Sequence, residues 1–198
     1  MSLDGFVSGP QGEMNWLVWD WDNVLKNYVA LLTDSADTFL MGRATGEGMA
    51  VYWPTVPANP ESKEEEKWMA EKLNNSPKII FSRTVTHINW TNARVANDIV
   101  EEVKELKKEP GKDIILYGGA EIVSSFICEN LIDEYHLFIN PVIIGEGKTI
   151  FKNVRETMGL KLVNTIQSNT GIVILQFVPE KESQINSSLK NQVYETIS

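Results

Sequence analysis

Cysteine is almost missing from this chain. Cys128 stands alone in 198 residues, so no intrachain disulfide can form. Histidine is nearly as scarce, with only His87 and His136, and no Cys/His cluster exists from which a zinc site could be built. No metal is expected. No apolar run approaches the ~20 residues that a membrane-spanning helix needs, so no membrane partner is expected either. The opening MSLDGFVSGPQGEMNW has neither a basic n-region nor a long apolar stretch and does not read as a signal or transit peptide, which makes the cytoplasm the expected compartment. Positive charge is in deficit, with 18 Lys and Arg against 27 Asp and Glu for a net charge of −9. That argues against nucleic acid as a main partner, because phosphate backbones are bound mostly through Lys and Arg. A small anion is still allowed, since helix N-termini and one or two arginines can hold it against an acidic background. Internal repeats and low-complexity segments are absent as well.

What is present is a globular composition, 42% hydrophobic and 23% charged, long enough for one sizeable core. Val24, Leu25, Tyr28, Val29 and Leu32 recur at helical spacing, with Asp22 or Asn23 placed to cap the start. A short apolar run, Asp37 to Met41, breaks at Gly42. The prolines between Pro54 and Pro60 mark an irregular connection, and a charged helix is expected from Glu61 to Asn74. Strands are expected at Pro77 to Ser82, Ala93 to Ala96 and Ile114 to Tyr117, with helices at Ile99 to Leu106 and Ile122 to Leu131. After these come strands only, at Glu134 to Asn140, Leu160 to Ile166 and Ile172 to Val178. Alternating strands and helices followed by a strand-only third predict an α/β fold: a mixed, mostly parallel sheet with flanking helices and a C-terminal antiparallel hairpin. Residues 1–179 form the expected domain and residues 180–198 a polar tail. His136 reads as a structural strand residue and Cys128 as buried and inert.

Three of the expected strands end alike: in Gly42-Arg43-Ala44-Thr45, in Ser82-Arg83-Thr84 and in Gly118-Gly119-Ala120-Glu121. In a mostly parallel sheet these lie along the carboxyl edge, where ligands of open α/β sheets bind. Glycines there leave the backbone bare, the following helix presents free N–H groups to an anion, and an arginine can grip a phosphate through two bonds. Each motif also has a plain reading. Gly-Gly can be a tight turn, and each arginine a surface ion pair. Together they favour a dinucleotide-type ligand, although no G-x-G-x-x-G follows a strand.

The series MSLDGFVSG, FLMGRATGEG, IIFSRT, LYGGAEIV and LIDEYHLFINPVIIGEGKTIF resembles the dihydrofolate-reductase-like family, in particular the reductase domain of bacterial riboflavin-biosynthesis deaminase/reductase proteins. The resemblance runs from the first residue to about Pro179. It implies the three-layer fold of that family, with a mixed eight-stranded sheet, NADPH as cofactor, and reduction of a C=N bond in a small heterocyclic substrate, as by 5-amino-6-(5-phosphoribosylamino)uracil reductase. It places the adenosine-phosphate site on Gly42, Arg43, Ala44 and Thr45, with Ser82, Arg83 and Thr84 near the 2′-phosphate. The pyrophosphate loop falls on Gly118, Gly119, Ala120 and Glu121. A homodimer is implied too. Several apolar residues precede SLDG in the family, whereas this sequence opens at Met1, so the first strand is expected to be short or to have its beginning absent from this sequence. No H-x-E with P-C-x-x-C is present, so the zinc deaminase half is not expected.

For the chemistry, a carboxyl group is needed to orient the substrate or relay a proton. The resemblance places Asp4, in Leu3-Asp4-Gly5, by the nicotinamide and substrate; the alternative is a plain Asp-Gly turn. Asp22 follows Trp16, Trp19 and Trp21 and is either the second acid or a helix N-cap. Trp16 and Trp19 are candidates to stack on a flat heterocycle or to pack the core. The loop Gly9 to Met14 suits a lid or is a plain exposed loop. Dihydrofolate reduction, or nucleotide binding without turnover, are the competing readings.

Overall fold

The structure is a computed structural model that describes residues 1–180. The expected tail, residues 180–198, lies outside the described residues apart from Glu180. The chain divides into two compact units, Trp21–Glu129 on one hand and Met1–Asp20 with the segment beginning at Asn130 on the other.

In the unit Trp21–Glu129, Asp22 starts the first helix. Its Oδ1 accepts the Leu25 N–H at 3.0 Å, so α1 (Asn23–Ser35) begins with an orphan donor satisfied. Then follow β1 (Ala36–Gly42), α2 (Arg43–Tyr52), α3 (Glu64–Asn75), β2 (Lys78–Phe81), β3 (Ala93–Ala96), α4 (Ile99–Leu106), β4 (Asp113–Gly118) and α5 (Ala120–Cys128). The four strands form a parallel sheet in the order β3-β2-β1-β4. Two helix ends differ from the periodicity reading, each for a local reason. α3 begins at Glu64 rather than Glu61 because Asn59 draws Glu61 and Ser62 into a turn, while Glu66 reaches back to the Lys63 N–H. α5 stops at Cys128 rather than Leu131, and Asn130 follows at φ 52, a left-handed turn that asparagine tolerates. That early stop also corrects the expected burial of Cys128, which is exposed.

The core of this unit packs around Phe39, Met41, Ile80 and Leu73, with Ile88 and Trp90 closing it. Each such side chain stabilises the fold by roughly 2 kcal/mol. Lys78 is a charged member of this interior. It is 1% exposed, and its Nζ donates to the carbonyls of Leu73 at 2.6 Å, Ser76 at 2.6 Å and Asn74 at 3.3 Å, with the Trp90 ring at 4.7 Å. The side chain thus closes the C-terminus of α3, where unsatisfied carbonyls gather. Because Lys78 opens β2, it also ties that helix to the strand.

The other unit holds β5 (Tyr135–Ile139), β6 (Leu160–Gln167) and β7 (Val173–Pro179), antiparallel in the order β5-β7-β6. β6 and β7 are the expected hairpin, turning through Ser168 to Gly171 at φ 86. Parallel and antiparallel strands therefore lie in separate sheets, seven strands among the described residues, rather than in one sheet of eight. Where a first strand was expected, Met1–Leu3 only begins to pair: Asn140 N–H donates to Met1 O at 2.8 Å and Leu3 N–H to Val142 O at 2.8 Å. The chain then turns away through Gly5 at φ 91, with the Phe6 N–H on Ser2 Oγ at 2.9 Å.

Candidate functional site

The register of the parallel sheet brings the three glycine-, serine- and arginine-rich strand ends to one edge. Met41 pairs with Gly118 and Gly42 with Phe81, so the ends of β4, β1 and β2 stand side by side. Both helices that leave this edge start on glycine, Gly42 for α2 and Gly119 for α5, and neither has a side-chain cap. Neither helix start therefore carries an N-cap side chain over its first N–H groups, the end of a helix that favours an anion.

Gly118 and Gly119 sit at φ 121 and 90, outside the range of ordinary side chains. A Cβ on Gly119 would lie 3.3 Å from Thr45 Oγ1, 3.4 Å from Ile122 Cγ2 and 3.7 Å from Gly42 Cα. The two helix starts are therefore in near contact, and glycine is required for that closeness as well as for the backbone angle. Ala120 and Glu121 make the first turn of α5, and Ala44 and Thr45 that of α2. On the α2 side, a Cβ on Gly46 would stand 2.9 Å from Ile80 Cγ2, so the helix lies unusually tight on β2.

The two arginines differ in their surroundings. Arg43 Nη1 is 2.8 Å from Glu47 Oε2, one turn along α2, with both side chains nearly half exposed. Arg83 is exposed and joins no ion pair among the described residues. The loop that carries it is fixed by Ser82, whose hydroxyl accepts the N–H groups of Thr84 and Val85 at 3.1 Å each, while Ser82 N–H donates to Ala96 O at 2.9 Å. The backbone is held and the guanidinium is left in solvent. A groove of about 430 Å³ on α3, lined by Trp68, Glu71 and Asn74 among others, shares no residue with this edge.

The remaining candidates divide between the units. Asp22 caps α1 in the same unit as the sheet edge. Asp4, Trp16 and Trp19 belong to the other unit. Asp4 is exposed, and its carboxylate accepts the N–H groups of Gly145 at 2.8 Å and Ile144 at 3.2 Å. The Ser2 hydroxyl, followed by these backbone donors, holds its pKa below the usual carboxylate value. A carboxylate so held stays ionised near neutrality and suits accepting hydrogen bonds rather than releasing a proton. Trp19 is 65% exposed, and Trp16 Nε1 donates to Glu13 O at 3.2 Å. The glycine loop closes on itself through Gly9 N–H to Glu13 O at 2.8 Å and Gly12 N–H to Gly9 O at 3.0 Å.

Three residues that shape these places were not singled out from sequence. Glu47 was readable, since Arg43 and Glu47 stand at i,i+4 spacing. Ile122, which walls both Gly42 and Gly119, was assigned only to a helix face. Asn140 is 3% exposed and its Oδ1 accepts the Val18 N–H at 3.1 Å, a bond across 122 residues that no local pattern announces.

Comparison with known proteins gives a consistent result. The family model described as the RibD C-terminal domain matches residues 1–174. The uncharacterized protein YyaP of Bacillus subtilis (strain 168) is 38% identical over 173 residues, spanning 87% of this chain and 88% of that protein. Among solved structures, a pyrimidine reductase-like protein from Corynebacterium diphtheriae superimposes with a TM-score of 0.64 at 16% identity, over 92% of this chain and 90% of that one. A dihydrofolate reductase from Enterococcus faecalis, complexed with NADP(H), gives a TM-score of 0.59 at 16% identity, over 91% and 93% of the two chains. At such identities the structural likeness shows the fold alone, which is the dihydrofolate-reductase-like fold.

Proposed function

The chain belongs to the RibD C-terminal domain family, and from that membership we propose that it is an NADPH-dependent reductase of a C=N bond in a small nitrogen heterocycle, of the kind reduced in riboflavin biosynthesis. The observation that carries the cofactor half is the pair of uncapped, glycine-started helices in near contact at one sheet edge, with Arg43 and Arg83 beside them. Helix N-termini favour negative charge, and two of them converge here with glycine, which has no capping side chain, at each N-cap.

In this reading Gly118 and Gly119 let a pyrophosphate approach the backbone, and the N–H groups that open α5 and α2 neutralise it. Thr45 supplies a hydroxyl at the junction of the two helices. Arg43, Arg83 and the Ser82-to-Thr84 turn take the 2′-phosphate, Arg83 being the guanidinium with no carboxylate already on it among the described residues. When bound, NADPH would supply the hydride. Asp4, ionised, is given the task of orienting the substrate through its donors. Trp16 and Trp19 offer flat apolar surface for stacking. Asp22 is left to its helix. The protein is placed in the cytoplasm as a homodimer, which light scattering tests by a mass twice that of the chain; among the described residues no helix is long and apolar enough to cross a membrane.

The test follows NADPH absorbance with 5-amino-6-(5-phosphoribosylamino)uracil and, in parallel, with dihydrofolate. Oxidation with the first and not the second is expected. Oxidation with dihydrofolate alone would make the protein a dihydrofolate reductase. Tight NADPH binding with no oxidation by either would sink the riboflavin-type activity.

A further inference from the structure

We propose that Glu47 is a specificity-determining residue of the nucleotide site: by pairing with Arg43 it weakens that arginine's hold on a phosphate at the 2′ position and narrows the preference for a 2′-phosphorylated nucleotide. The inference rests on the reading of this edge as a nucleotide site. It starts from an asymmetry on the page. Two arginines flank the edge, yet among the described residues only one carries a carboxylate partner, Arg43 Nη1 to Glu47 Oε2 at 2.8 Å, with the side chains 46% and 45% exposed.

The spacing makes the pair inherent to α2. Positions four apart on a helix face each other, so whenever α2 is formed Glu47 competes for Arg43. A phosphate arriving at Arg43 must displace or share that carboxylate, and it meets a like charge one helical turn away. Neither penalty applies to a nucleotide that lacks the 2′-phosphate. A 2′-hydroxyl can instead donate a hydrogen bond to a carboxylate, the device by which acidic residues favour unphosphorylated dinucleotides in other folds. Glu47 therefore acts through Arg43, as a positioning residue with a sign opposite to that of the arginines. An exposed i,i+4 pair is weak in itself, so its removal leaves the helix folded.

The experiment measures dissociation constants of NADPH, NADH, 2′,5′-ADP and 5′-AMP for the wild type, Glu47→Gln, Arg43→Ala and the double variant, at two salt concentrations. Glu47→Gln is expected to tighten NADPH and 2′,5′-ADP by about three- to tenfold, to leave NADH and 5′-AMP unchanged or slightly weaker, and to steepen the salt dependence of NADPH binding. In the Arg43→Ala background the same substitution should lose most of its effect. Equal shifts for NADPH and NADH, a weaker NADPH in Glu47→Gln, or an effect that persists in full without Arg43 would each overturn the proposal. If the wild type binds neither NADPH nor 2′,5′-ADP, the nucleotide-site reading fails and Glu47 with it; binding with an unmoved ratio sinks Glu47 alone.

Discussion

Replacing Lys78 with methionine removes a buried charge and, with it, the donor that closes the end of α3. Burial lowers the Lys78 ammonium from 10.5 to about 8, because it sits 1% exposed in the interior. When the folded pKa of a base lies below its unfolded value, the folded state binds the proton less tightly than the unfolded chain does. The folded wild type therefore gains stability as pH rises from about 8 towards 10.5, and the gain is absent below the lower value. Worked through, the wild type should gain at most about 2.5 kcal/mol between pH 7 and pH 10 from this group. The carbonyls of Leu73, Asn74 and Ser76 and the Trp90 ring favour the ammonium, and they reduce that gain. Lys78→Met titrates nowhere in this window. Near neutrality it should be destabilised by roughly 1–3 kcal/mol, from carbonyls left without a donor. Its deficit relative to the wild type should then widen towards pH 10. Urea unfolding of both proteins near pH 7 and near pH 10 gives the two differences, in which other titrating groups cancel. A deficit that stays constant across the window, or that shrinks, would refute the reasoning: the carbonyl cage would then hold the ammonium at its ordinary pKa or above it.

Gly119→Val should add about 1–2 kcal/mol of backbone strain at φ 90 and place side-chain atoms against Thr45 and Ile122; nucleotide affinity should fall well beyond the change in stability, which calorimetry and a binding titration on the same samples separate. Gly46→Ala sets a helix-propensity gain of up to about 1 kcal/mol against an overpacking penalty of about 1–3 kcal/mol at Ile80, so a net destabilisation, read as a melting temperature lower by a few degrees, is expected. Asp4→Asn should flatten the acid limb of the stability curve, because a carboxylate with a lowered folded pKa contributes above its unfolded value and loses that contribution as pH falls through the folded one; an unchanged acid limb would show that the Ser2, Ile144 and Gly145 donors do not matter.

Much of this molecule was readable before its structure because strand ends announce themselves. Apolar runs stop at Gly42, at Ser82 and at Gly118, and each stop is followed by residues that either bare the backbone or carry positive charge. What the sequence could not show is that β1 lies between β2 and β4, which is what puts Gly42 against Gly119; adjacency in a parallel sheet depends on crossovers and not on local pattern. Lys78 illustrates a second limit. Nothing in the local pattern at the head of that apolar strand marks it for burial, and only the carbonyls at the end of α3, folded over it, explain how a lysine is 1% exposed. Helix boundaries moved where a side chain captured backbone, as Asn59 did before α3. The separation of parallel and antiparallel strands into two sheets was out of reach as well, because strand pairing between distant segments is not written in local pattern.

The central claim, that the edge formed by β1, β2 and β4 holds NADPH, is tested most directly by comparing NADPH and NADH affinity for the wild type and Arg83→Ala through nucleotide fluorescence. The account predicts tighter binding of NADPH than of NADH by the wild type, and a roughly ten- to hundredfold loss for NADPH in the variant, the worth of a charge-assisted contact, with NADH almost unmoved. No saturable NADPH binding by the wild type, or equal losses for both nucleotides in the variant, would contradict it.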